Sequence, residues 1–505
     1  MKMEKKNWFL VLGIFLILFG QRTAAFSQEV KLAKFEEIQQ GEAPKWFKLS
    51  VDANIHNDYG LTYPITYEFS LSPDVSNLKA YRKYTEYGIW AWIPEKTGSD
   101  FFNGIEAVRF DYANSKAYIS IAFDEVGDNI FLKITDELEN SIDGTYDKVA
   151  KYYDNRDAAV VFSADDWCGN SLIDSRFKQA CDMFTSKKIW LSVGVITQGY
   201  GNDVGWGNQP PPVWSRIQGK IDKGYIEINS HSRTHPHVPY HDYDSQIGGS
   251  KEDITDNLNL PPLYKKGAGE YVWGWIAPYG DSDDTIHSKL GEYKYMAEVS
   301  GPVDNQEGNF PNWDSDNGLY EKWNRWTFLE GRALSKLNSE FSRRINAGKI
   351  YHIGFHPWKL GFYPGSKIDQ HTDYVRGRKN LWYVGQGALM IYHYVQDQNI
   401  VTVEDIEGKL WDVFSYPNPC YPTEGQVVKI VNLRSSVEKI YIYTITGELV
   451  RSLEKGRGIT EDAGITRAIW DCRSDSGQEV ARGIYIYLII TTDGEKKAGK
   501  IAIIR

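Results

Sequence analysis

AAVVFSADD, Ala158–Asp166, is a short apolar run that closes on two adjacent carboxylates. A run of this length without polar alternation reads as a strand buried on both faces, as in parallel sheets. The next stretch has another period. SLIDSRFKQACDMFTSKK spaces Ile173, Phe177, Ala180, Cys181 and Phe184 at helical intervals, with Asn170 or Ser171 as cap. IWLSVGVIT is a second buried strand. Later, LSKLNSEFSRRINAG sets Leu334, Leu337, Phe341 and Ile345 on one helix face before a stop at Gly348. KIYHIGFH returns to strand, and LWYV with GALMIYHYVQDQ repeats strand and helix. Strands alternating with helices over residues 151–405 predict a parallel α/β layout, open or barrel.

The flanks read differently. Over residues 44–150, PITYEFSLS and KAYISIAFD alternate apolar and polar side chains, and GIWAWIPE and NIFLKITD look similar. They predict a β-rich accessory domain, a sandwich. After SYPNPCYPTEG the chain is strand-like again through VVKIVNL, KIYIYTITGELV, GIYIYLIITTDG and GKIAIIR. Gly-rich turns between them predict a small β-sandwich over residues 411–505.

Lys2, Lys5 and Lys6 precede the apolar WFLVLGIFLILFG and the small residues of TAAFS. Residues 1–27 therefore read as a secretory signal peptide. They carry four basic residues against Glu4, a net of +3, so the chain's −10 becomes about −13 without them. No basic stripe accompanies that acidity, and nucleic acid is not an expected partner. No later stretch is apolar enough to predict a membrane span. In an exported chain the four cysteines permit disulfides. Cys168–Cys181 and Cys420–Cys472 is the expected pairing, since each bridge then stays within one domain; four free thiols is the alternative.

Three polar clusters end apolar runs in the α/β region. Asp165 and Asp166 are costly beside a buried strand unless they are used or solvated. One can ligate a metal while the other acts as base; an ordinary wet turn is the plain alternative. His231, His235, His237 and His241 crowd the stretch INSHSRTHPHVPYH. His231 and His235, four apart, can share one ion from a helical turn. His237 and His241 lack that spacing and are expected to face solvent or support the site. Imidazole with carboxylate suits Zn(II) or a similar divalent ion. His356 ends IGFH and can serve as a general acid, or simply as a satisfied structural histidine.

Taken in order, AAVVFSADDW, EINSHSRTHPH, WIAPYG and GFHPW resemble the polysaccharide deacetylases of carbohydrate esterase family 4, the NodB-homology domain. The resemblance implies a distorted (β/α) barrel with its site at the strands' C-terminal mouth. It implies Asp165 as catalytic base, Asp166, His231 and His235 as metal ligands, His356 as general acid, and the Pro278–Tyr279 turn as the oxyanion donor. Ile276 stands where the family has an arginine that orients the base. Asp314 and Asp316, or the KWNRW stretch, are candidates for a further family motif.

Pro278, Tyr279, Trp275 and Trp358 are expected to contact substrate. Trp167 and Trp273 also flank the motifs, with core packing the alternative for every tryptophan. The C-terminal pieces SYPNPC, VEKIYIYTITGELVRSL and GKIAIIR resemble the sorting domain of the type IX secretion system, with an immunoglobulin-like fold. That implies secretion to the exterior or outer surface of a Gram-negative bacterium. The expected function is deacetylation of an acetylated polysaccharide. A glycan-binding protein without catalysis, and an amidase on a small substrate, are the alternatives.

Overall fold

The computed structural model describes residues 45–505, apart from 97–103, 301–321 and several shorter internal stretches. The signal segment expected over residues 1–27, and Asp314 and Asp316, lie outside the described residues. Two compact units are present. One joins Lys48–Leu132 to Gly144–Glu404, and the other is centred on Asp405–Arg505.

The first unit is mixed α/β. Its main sheet contains β1 (Ala158–Trp167), β2 (Leu191–Val195), β3 (Ile226–Ser230), β4 (Gly274–Ile276), β5 (Ala297–Ser300), β6 (Lys322–Asn324), β7 (Tyr351–Phe355) and β8 (Leu381–Tyr383). The order across it is β6-β5-β4-β3-β2-β1-β7, with β8 also paired to β1. Every one of these ladders is parallel. The strands follow chain order until β7 returns beside β1, and a parallel bridge Phe328↔Gly354 ties the segment after β6 to β7. The sheet is thus barrel-like and nearly closed. All its strands run the same way, so their C-terminal ends open at a single mouth.

All ten residues of β1 are buried, which explains its unbroken apolar texture. Helix α1 (Ser171–Lys187) follows. Asn170 accepts from the amides of Leu172 and Ile173, and Ile173, Phe177, Ala180, Cys181 and Phe184 are its buried stripe. Helix α2 (Leu334–Asn346) buries Leu337, Phe341 and Ile345. It also buries Glu340 and Arg344, which pair at 2.6 Å, because a charged side chain on an apolar face needs a partner. Gly348, at φ 64°, ends the turn beyond it.

Of the stretch expected as a β-rich accessory domain over 44–150, Lys48–Leu132 and the part from Gly144 cluster with the barrel-like sheet, and Lys133–Asp143 with the other unit. Ala107–Asp111, Lys116–Ile121, Ile65–Leu71 and Gly144–Val149 form a four-stranded antiparallel sheet. Aromatic contacts join the two parts. Trp273 donates its indole N–H to the Tyr59 carbonyl at 2.6 Å, and Trp382 packs against Tyr63 and Tyr153.

The second unit is all β. Eight strands between Phe414 and Ile503 lie in one hydrogen-bonded series rather than two separate sheets, antiparallel except where Leu449–Lys455 meets Gly458–Asp462. Val428, Ile430, Ile440, Ile442, Trp470 and Ile489 are fully buried in its core. The expected disulfides are not formed: all four cysteines are buried free thiols. Cys420 and Cys472 face each other with sulfurs 3.8 Å apart, beyond the about 2.05 Å of a bond. Cys168 instead lies just past the end of β1, while Cys181 faces the core from α1. Among the described residues, no helix is long and apolar enough to cross a membrane.

Candidate metal centre

Adjacent strand residues point to opposite faces, so two neighbouring carboxylates should diverge. The β1–β2 ladder prevents this. It pairs Ala164 with Val193 and then Trp167 with Val195, so Asp165 and Asp166 together face the single Gly194. This is a β-bulge, which re-aims side chains at the end of a ladder. Asp166 adopts φ 83°, and both aspartates are buried. Gly194 suits that position: a Cβ would lie 2.9 Å from the tip of Ile276, at Cδ1, and 3.2 Å from His231 Cβ, which would have to give by a few tenths of an ångström.

His231 and His235 follow β3, but no helical turn carries them. Ser232 and His235 have φ of 67° and 59°, and the Ser232 hydroxyl accepts the His235 amide at 2.8 Å. This tight turn brings the rings together where a helix was expected. The imidazole Nδ1 of His231 lies 2.7 Å from the Ile276 carbonyl. A carbonyl only accepts, so Nδ1 carries the proton and Nε2 keeps its lone pair.

Three atoms converge. Asp166 Oδ1 lies 3.3 Å from His231 Nε2 and 3.4 Å from His235 Nε2, and the two nitrogens are 3.1 Å apart. All three residues are buried, and they are the group of metal-competent side chains found among the described residues. Tetrahedral coordination at about 2.0–2.1 Å puts neighbouring ligand atoms about 3.3 Å apart, so the triangle fits Zn(II). Protonation agrees with ligation. Burial and the neighbouring His231 ring push the His235 imidazole down to about 3, so it is neutral. Burial alone would raise the Asp166 carboxyl. The close His231 imidazole and the charge-favouring His356 outweigh it and hold Asp166 far below the usual carboxylate range.

His356 ends β7 and faces the same carboxylate, its Nε2 3.8 Å from Asp166 Oδ2. Its Nδ1 lies 2.5 Å from Glu330 Oε1. Burial opposes a charged ring, but the Glu330 hydrogen bond and the Asp166 and Asp165 carboxylates prevail and raise its pKa above the ordinary imidazole value. Tyr279 sits in the turn after β4 with φ 58°, the residue 44% exposed beside buried Pro278. One face of Tyr279 stacks on exposed His237 at 3.6 Å, and its ring meets His235 edge-on at 4.4 Å. His241 is exposed.

The tryptophans divide sharply. Trp275 is completely buried and packs edge-on against Tyr295, so it cannot touch a substrate as expected of it. Its place on β4 decides this, because a side chain pointing into a packed sheet has no open face. Trp167 stacks on Phe177 and Trp273 is core. Trp358 alone of the four is half-buried, and its indole N–H donates to Asp166 Oδ2 at 3.2 Å. Ile276, in the motif-arginine position, is hydrocarbon packed over Gly194.

Two site residues carry no sequence signal. Glu330 lies in a short turn, Leu329–Gly331, with nothing to mark it among the chain's acids. Tyr200 follows β2; it is 6% exposed and its ring lies 5.1 Å from His235. The loop around it is held to the histidine turn by Thr197 N to Ser232 O, Gln198 N to Arg233 O and Gly201 N to Thr234 O.

No known family's profile matches the chain. No curated protein matches it either. Among solved structures, it is similar to a polysaccharide deacetylase from Bacillus cereus at 13% identity, covering 55% of this chain and 95% of that one, with a TM-score of 0.23. It is similar to the BpsB deacetylase domain from Bordetella bronchiseptica at 12% identity, over 38% of this chain and 71% of that one, with a TM-score of 0.22. A third match is PorZ, a surface component of the type IX secretion system of Porphyromonas gingivalis, at 27% identity over 19% of this chain, with a TM-score of 0.17; the chain covers only 12% of PorZ.

Proposed function

We propose that the chain is a secreted, metal-dependent hydrolase that removes acetyl groups from a polysaccharide. One observation carries this reading: the Asp166–His231–His235 triangle lies at the mouth of a parallel sheet, with Asp165 next to it in the chain and a charge-favouring His356 across from it. The order of the four sequence motifs supports it.

Asp166, His231 and His235 would hold the ion. When bound, it would supply Lewis-acid polarisation of an acyl carbonyl. The remaining work falls to the chain. Asp165 accepts a proton from the attacking water. The Tyr279 backbone N–H donates to the oxygen on which negative charge develops. His356 gives its proton to the leaving atom, and Glu330 holds the ring in place for that transfer. An amide nitrogen leaves only once protonated, so an imidazole kept charged suits an N-acetyl group. The C-terminal unit is proposed as the sorting domain that directs export; deleting 411–505 should leave the chain inside the cell envelope.

Acetate release by the full chain tests the activity. Chitin oligomers, peptidoglycan and acetyl xylan are offered with Zn(II) or Co(II), against a chelator control and Asp165→Asn. Release that needs metal and falls about 10²–10⁴-fold in the variant is the expected result. Ile276 in the arginine position favours one other reading, a glycan-binding protein; metal binding without release from any substrate would select it.

A further inference from the structure

Trp358 was expected to stack on sugar, yet its surroundings direct it elsewhere. The short turn Pro357–Lys359 follows His356 directly, with proline at its start fixing the backbone. Lys359 lies over the indole face, Nζ 4.6 Å from the ring centroid, and the His356 ring meets Trp358 edge-on at 6.0 Å. Lys359 also reaches toward Glu330 Oε1 at 3.9 Å, the oxygen that His356 engages. Lys359 thus takes one face of this half-buried ring. The ring also presents its N–H, which reaches Asp166 Oδ2 at 3.2 Å.

The two oxygens of Asp166 are thus assigned different duties. Oδ1 faces His231 Nε2 and His235 Nε2 at 3.3 Å and 3.4 Å. Oδ2 faces Trp358 Nε1 at 3.2 Å and His356 Nε2 at 3.8 Å. A carboxylate free to rotate presents either oxygen, or both, to an ion. One whose second oxygen is occupied by a fixed donor presents one.

We infer that Trp358 is a positioning residue for the metal ligand: its indole N–H occupies Asp166 Oδ2 and leaves Oδ1 alone to ligate. This rests on the metal reading above. The single turn HPWK then supplies both the proton donor, His356, and the group that sets how Asp166 binds. It couples the acid to the ion through one carboxylate rather than through substrate.

The test is metal binding by the full chain, with Zn(II) measured by chelator competition and Co(II) by its visible spectrum. Wild type, Trp358→Phe and His235→Ala are compared, and metal-free melting of each is recorded. Phenylalanine keeps an aromatic ring and removes the N–H. The expected result is Zn(II) affinity about 10–100-fold weaker in Trp358→Phe, with an altered Co(II) spectrum and unchanged metal-free melting. Wild-type affinity and spectrum in Trp358→Phe, with the loss confined to KM for a glycan, would overturn the inference in favour of stacking. If that variant does not fold, Trp358→Gln replaces it, keeping an N–H donor without the ring. Near-wild-type affinity then supports the donor role, and a loss as large as that of His235→Ala overturns it. A wild-type chain that binds neither ion overturns the metal reading itself, and does so before any variant is compared.

Discussion

His231 Nε2 and His235 Nε2 stand 3.1 Å apart in a buried site, with Asp166 Oδ1 closing the triangle. The His231 nitrogen keeps its lone pair because Nδ1 faces a carbonyl, so the pair is built to share a cation. Replacing His235 by Ala should abolish stoichiometric Zn(II) binding while leaving the fold intact, as read by metal content after dialysis and by circular dichroism. Retention of a full equivalent of metal would refute this assignment.

Gly194 opposite the bulge gives a subtler test. A methyl group there meets Ile276 Cδ1 at 2.9 Å and His231 Cβ at 3.2 Å. Gly194→Ala should displace the His231 ring and weaken metal binding, at a stability loss of about 1–3 kcal/mol from overpacking. Isothermal titration with Zn(II), beside a urea melt, separates the two effects.

Glu330 should act through His356. Its carboxylate favours the charged imidazole, whose pKa is raised. Activity that needs the charged ring persists below that pKa and falls as pH rises through it. Glu330→Gln removes the favourable charge, so the alkaline limb of the kcat profile should move to lower pH. An unmoved limb would rule out this role.

His371 predicts how stability varies with acid. The Tyr351 hydroxyl lies 2.9 Å from its Nε2 and Asn338 Oδ1 2.7 Å from its Nδ1, an arrangement that a neutral ring satisfies. Burial pushes its pKa down to about 4. The unfolded ring titrates at about 6.5. Between these values the unfolded chain takes the proton and the folded chain does not. Stability from this group is full above about pH 6.5 and lost as pH falls toward 4, by up to about 3 kcal/mol. Urea melts of wild type and His371→Gln across that range should converge as acid increases.

The thiols give a chemical prediction. Cys420 and Cys472 already touch, their sulfurs 3.8 Å apart. Both are as buried as Cys168 and Cys181 and burial raises their thiols too, so oxidised glutathione should join them only during refolding, leaving as two reduced glutathiones, and the bridge should then stabilise the chain by about 2–4 kcal/mol. Burial pushes the Cys168 thiol up to about 12 and the Cys181 thiol higher still, so both should resist alkylation in the folded chain. Peptide mapping after oxidation and labelling reads both outcomes.

The sequence made the parallel α/β body legible because buried strands and one-sided helices have different periods. The capping Asn170 and the stripe from Ile173 to Phe184 are read directly from spacing. The histidine interval pointed to the pair that the structure brings together, though through a tight turn instead of a helix. Other features have no local signature. The bulge at Asp165–Asp166 depends on register against β2, which one strand's sequence does not contain. Glu330 reaches the site from a separate turn, so its pairing with His356 is visible only in three dimensions. Trp275 was misassigned because proximity to a motif does not say which way a side chain points. Trp358, two residues past His356, reaches Asp166 only through the turn between them.

The bulge has a consequence for how this site can change by mutation. Asp165 and Asp166 share one partner because β1 is a single residue longer than the stretch of β2 beside it. Deleting either aspartate would remove the bulge and restore one-to-one pairing, leaving one carboxylate opposite Gly194 where the site now has two. A conservative exchange of side chains leaves that count alone. The chemistry here is therefore more vulnerable to a three-nucleotide gap than to many substitutions, because it is encoded in residue number as well as residue type.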